Sequence, residues 1–123
     1  MLTKEEYEQA RQRAIEFFDK AGIVITEEEK EKIEVADFGL SDLETMGIEV
    51  LTYINTDRVC AKEIIMFPEQ TCPEHIHPTK NGVPGKEETF RCRWGQVCLY
   101  VPVDEDEKND EQTDIYKPEG YGE

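Results

Sequence analysis

In 123 residues, 29 acidic side chains stand against 14 basic ones, giving a formal net charge of −15. Such a surface repels nucleic acid and anionic membrane, whose binding rests on Lys/Arg patches and released counterions, and it suits a small neutral or metal-bridged ligand better. The length fits one domain with a modest core, and the longest apolar stretches, Gly22-Ile-Val-Ile25 and Ile64-Ile-Met-Phe67, fall far short of the ~18 residues of a membrane-spanning helix.

The first residues, Met1-Leu-Thr-Lys-Glu-Glu6, have neither the basic nor the apolar region of a secretion signal, so the expected location is the cytoplasm. Thr3 followed by Glu6 forms a capping-box signature, and Tyr7, Ala10, Ala14, Phe17, Phe18 and Ala21 then recur at three- and four-residue steps. This pattern predicts an amphipathic helix of about five turns, ended by Gly22, where only glycine enters the left-handed conformation without steric cost. Thr26 with Glu29 repeats the signature and predicts a short acidic helix through about Ile33. A single apolar stripe is what a helix docked on a sheet shows, so packing is preferred to a partner surface.

From Ile48 the pattern becomes β-rich, with strands predicted over 48–54, 59–67, 71–77, 86–93 and 96–101. Asn55-Thr-Asp57, Pro68-Glu-Gln70, a Pro/Gly-rich loop over 78–85 and Trp94-Gly95 separate them. Several short strands at near-regular spacing suggest a sandwich or barrel rather than alternating βα units. From residue 104 onward the chain holds nine acids and two lysines, the composition of a solvated acidic tail. The expected organisation is a helical segment over 1–36, a β domain over 37–102 and an acidic loop or tail over 103–123.

His75 and His77 are the only histidines, and in an extended chain the i, i+2 spacing puts both rings on one face. Eleven residues after His77 comes Glu88, which shares a strand face with Phe90 and Cys92. An inward glutamate among apolar neighbours carries a desolvation penalty that a divalent cation relieves, so His75, His77 and Glu88 form a candidate metal-ligand set. The four cysteines, 60, 72, 92 and 98, contain no C-x-x-C and are expected as unpaired thiols. Cys72 with His75 and His77 leaves a zinc site open. Two histidines and one carboxylate are also formally the facial triad of non-haem iron oxygenases.

H-x-H, then Glu88, then six residues and Gly95 resembles the first metal motif of the cupin β-barrels, with a longer gap between histidine and glutamate. More narrowly, Tyr53-Ile-Asn-Thr-Asp-Arg58, Phe67-Pro-Glu-Gln-Thr-Cys-Pro-Glu-His75 and Gly85-Lys-Glu-Glu-Thr-Phe-Arg-Cys-Arg93 resemble the cupin-type D-lyxose isomerases, and the likeness runs from about Ala21 to Val101. The resemblance implies a mainly β fold, a cupin (double-stranded β-helix, jelly-roll) barrel with N-terminal α-helices. It also implies a manganese-dependent aldose–ketose isomerase acting on D-lyxose and D-xylulose, with D-mannose and D-fructose as further sugars and Fe2+ or Zn2+ as alternative metals. By position, His75, His77 and Glu88 correspond to metal ligands and Lys86 to the family lysine near the substrate, a proton donor or acceptor. The expected partners are a small sugar and a second copy in a homodimer, with no nucleic acid and no membrane. The second cupin motif, with a third histidine and a catalytic glutamate, has no counterpart in this sequence, so the expectation is a truncated form with a barrel incomplete at its C-terminus. A non-catalytic metal- or sugar-binding cupin module and a cupin iron oxygenase are the alternatives.

Overall fold

The computed structural model describes residues 1–101; the predicted acidic tail lies outside the described residues. Helix α1, Lys4–Lys20, opens on the predicted capping box: the Thr3 hydroxyl accepts from the Glu6 amide at 3.1 Å while the Glu6 carboxylate accepts from the Thr3 amide at 2.7 Å. That backbone hydrogen bond is the leading reason the Glu6 carboxyl lies below the usual glutamate range. The helix closes as a Schellman motif, with Gly22 at φ +70, Ile23 donating to the Phe18 carbonyl and Gly22 to that of Asp19. Helix α2, Glu27–Glu31, repeats the box with Thr26 and Glu29.

Three antiparallel strands follow in the order β1 (Glu34–Ala36), β2 (Ile48–Asn55) and β3 (Cys60–Ile65). Register pairs Val35 with Glu49 and Glu49 with Ile65, so these three share one sheet face with Leu51. Ala10, Ala14 and Phe18 of α1 pack on that face, and with Ile33, Val35, Leu51, Ile65 and Phe67 they make the core. A register shift at Thr52–Ile54 marks a bulge beside Tyr53. The β2–β3 turn is tied by the Thr56 hydroxyl, which accepts from the amides of Arg58 and Val59.

The chain divides into two compact units, Met1–Thr89 and Phe90–Glu123, and the core above belongs to the first. The described part of the second, residues 90–101, holds neither helix nor strand. The architecture is a small antiparallel sheet with a docked helix, compatible with part of a mainly β fold.

Two strand expectations are met nearly to the residue and three are corrected. Segments 71–77, 86–93 and 96–101 form no strand; the first makes a single parallel bridge, Met46 with Thr71. Alternation marks chain able to line a ladder, but a strand exists only where a neighbouring segment runs alongside and extends the pairing, and among the described residues these segments form no ladder beyond the single Thr71 bridge. For the same reason Glu88 and Phe90 do not face a core; both are exposed. Strand β1, not predicted, is three residues long and too short to show a period.

Candidate metal centre

The polypeptide entering the site is fixed at its start. The Thr71 amide donates to the Thr45 carbonyl at 2.7 Å and the Gly47 amide to the Thr71 carbonyl at 3.0 Å, pinning Thr71 to the loop before β2. Beyond His77 the chain reverses at Asn81-Gly82, where Lys80 and Val83 exchange hydrogen bonds of 3.0 and 2.9 Å. Asn81 at φ 51 and Gly82 at φ 74 make this a type I′ hairpin turn, the one that an Asn-Gly pair favours. The reversal carries Glu88 back toward the histidines. Gly85 lies so close to His77 that an added Cβ would overlap the His77 carbonyl.

The sequence-predicted ligands are thereby gathered: donor atoms of His75, His77 and Glu88 lie within 4.8 Å of one another, the one such group of three or more among the described residues. The imidazole rings are 5.3 Å apart and nearly perpendicular, as expected for i, i+2 side chains in extended chain. His77 Nε2 is 2.9 Å from Glu88 Oε1. His75 Nδ1 is 2.9 Å from the Pro73 carbonyl, an arrangement that orients the ring and leaves its other nitrogen for a ligand. All three groups are exposed, and an exposed His–Glu pair contributes little by itself. Two imidazoles and a carboxylate are a donor set that suits a divalent first-row cation.

Two other predicted participants stand differently. Cys72 Sγ is 3.9 Å from His75 Nδ1. Burial pushes the Cys72 thiol up, with the Glu88 carboxylate adding to the effect. The Lys86 ammonium donates to the Thr56 carbonyl at 2.8 Å and to Asn55 Oδ1 at 3.5 Å, so its hydrogen bonds go to the β2–β3 turn. All four cysteines are free thiols, as expected.

The sequence reading passed over the Asn81-Gly82 turn and the Gly85 contact, although an Asn-Gly pair between two β-rich runs is itself a hairpin signal. Comparison with known proteins supplies the remaining context. No protein-family model matches the chain. It is 62% identical over 102 residues to a D-lyxose ketol-isomerase of Thermofilum sp. (strain ex4484_79), covering 83% of this chain and 57% of that protein. It is 60% identical over 101 residues to a D-lyxose/D-mannose isomerase of Thermosediminibacter oceani (82% and 56%), and 62% identical over 96 residues to a D-lyxose ketol-isomerase of Cohnella laeviribosi (78% and 53%). The chain thus spans a little over half the length of these curated relatives. The resemblance to D-lyxose isomerases read from the sequence is borne out: the chain is a homologue of proteins so named.

Proposed function

We propose, from that homology, that the chain carries the metal centre of a sugar isomerase interconverting D-lyxose and D-xylulose, with D-mannose and D-fructose as further substrates. The observation that carries the reading is identity of 60–62% over about four-fifths of the chain to proteins so named. The convergence of His75, His77 and Glu88 gives it a chemical basis.

Aldose–ketose isomerisation moves a proton between C1 and C2 while negative charge develops on the two oxygens. A divalent ion, Mn2+ in this reading with Fe2+ and Zn2+ as alternatives, supplies when bound the positive charge that stabilises those oxygens. His75 and His77 offer neutral imidazole nitrogens and Glu88 the anionic ligand. Lys86, two residues before Glu88 and hydrogen-bonded to the β2–β3 turn, is the proposed proton-handling group. The sheet is proposed as part of a cupin barrel, in a cytoplasmic enzyme working as a homodimer on a small sugar; β1 and β3, as edge strands of the described sheet, offer unpaired backbone for such pairing. No helix among the described residues is long and apolar enough to cross a membrane.

Calorimetric titration with Mn2+ tests the ligand set. The expected result is one site in the parent chain, lost in Glu88→Ala and in His77→Ala and kept in Cys72→Ala. Loss in Cys72→Ala with retention in Glu88→Ala would replace this reading with the zinc thiolate site. Oxygen uptake by the Fe2+-loaded chain would favour the oxygenase.

A further inference from the structure

Glu49 is the one fully buried carboxylate among the described residues, at 0% exposure in the core face of β2. Its Oε1 accepts from Gln70 Nε2 at 3.2 Å, and its Oε2 has no hydrogen-bond partner. Gln70, itself buried at 6% exposure, has every polar atom of its amide engaged. Its Nε2 donates also to the Leu43 carbonyl at 2.8 Å, and its Oε1 accepts from the Phe67 amide at 3.0 Å. One side chain therefore joins the loop before β2, the strand β2 and the turn that follows β3. That turn leads directly into Thr71, where the chain bearing His75 and His77 is pinned to Thr45 and Gly47. Gly47 is part of the same assembly: a Cβ there would come within 3.0 Å of Gln70 Nε2.

We propose that Glu49 is a positioning residue which, in its uncharged form, completes a Glu49–Gln70 clasp holding the entry to the candidate metal centre, and that its ionisation loosens this entry. The role assigned to the entry rests on the metal-centre reading above. A neutral carboxyl leaves the buried side chain with one weakly penalised oxygen, whereas a carboxylate there would hold a full charge against one amide donor.

The surroundings favour the neutral form. Burial pushes the Glu49 carboxyl up to about 7, against an ordinary value of 4.5; the Gln70 hydrogen bond opposes this less strongly. The charged groups that act on it are Arg13 of α1, which favours ionisation, and Glu44 of the loop, which disfavours it. Arg13 is 3.8 Å from Glu44 and lies over the Phe67 ring at 4.1 Å, so its charge is shared. Between pH 4.5 and about 7 the folded chain keeps a proton that the unfolded chain has released. Stability from this group is therefore fully present below 4.5, falls as pH rises through that window, and is level above it.

Amide hydrogen exchange on the metal-free full chain, corrected for intrinsic exchange rates, reads the clasp at the amides of Gly47, Phe67, Gln70 and Thr71. Protection at these four is expected to fall roughly 10- to 30-fold between pH 5.5 and 7.5, the response to one proton. It is expected to stay level in Glu49→Gln, while α1 amides in the parent change far less. The same pH response in Glu49→Gln, or a loss shared equally by α1, would overturn the proposal. Should Glu49→Gln not fold, carbon-13 titration of the Glu49 carboxyl in the parent decides: ionisation in the ordinary carboxylate range overturns it, ionisation near neutrality supports it. No metal is needed for either readout, so failure of the chain to bind Mn2+ and failure of the clasp are separate results.

Discussion

Gly85 shows how narrowly the candidate centre is built. Its Cα sits against the His77 backbone, so any Cβ must displace either the carbonyl of His77 or the segment leading to Glu88. Gly85→Ala is expected to reduce Mn2+ affinity at least tenfold in calorimetry, about 1.4 kcal/mol, while the helical circular dichroism of α1 is unchanged. Unaltered affinity would mean that the ligands do not depend on this approach. The grouping of the three candidate ligands was legible in the sequence from an H-x-H pair and a glutamate eleven residues on. Their setting was not. Glu88 was expected to face inward with Phe90, yet both are exposed, because the face a residue takes depends on a ladder that the sequence cannot show. Lys86 was legible only through resemblance, and its hydrogen bonds lead to Thr56 and Asn55.

At the scale of elements, the helices were legible, whereas three of the five predicted strands did not form. Both capping boxes, at Thr3–Glu6 and Thr26–Glu29, and the Gly22 stop are local chemistry, set within four residues of chain. Strands β2 and β3 were legible because Asn55 to Val59 closes a tight turn that pairs them with each other. Segments 71–77, 86–93 and 96–101 carry similar alternation without such a neighbour. The apolar stripe of α1 sorts finely in the structure: Ala10, Ala14 and Phe18 are buried, whereas Tyr7 and Phe17 lie at the margin. Phe18 is 3% exposed against the sheet, so Phe18→Ala should cost about 3–5 kcal/mol in denaturant unfolding. A loss below about 1 kcal/mol would show that α1 is not docked as described.

For the whole molecule, the charge of −15 is in keeping with the proposed site: an acidic chain repels polyanions and attracts cations. Homology extends over about four-fifths of the chain but only 53–57% of each relative, so the activity of the 123-residue polypeptide is a separate question from its ancestry. The most direct measurement is conversion of D-lyxose to D-xylulose by the purified chain with added Mn2+, run beside Glu88→Ala and with a chelator. The account predicts turnover that requires the metal and falls at least a hundredfold in Glu88→Ala, about 2.7 kcal/mol of transition-state stabilisation. Turnover that survives both the chelator and Glu88→Ala, or a chain that binds Mn2+ and converts no sugar, would contradict it.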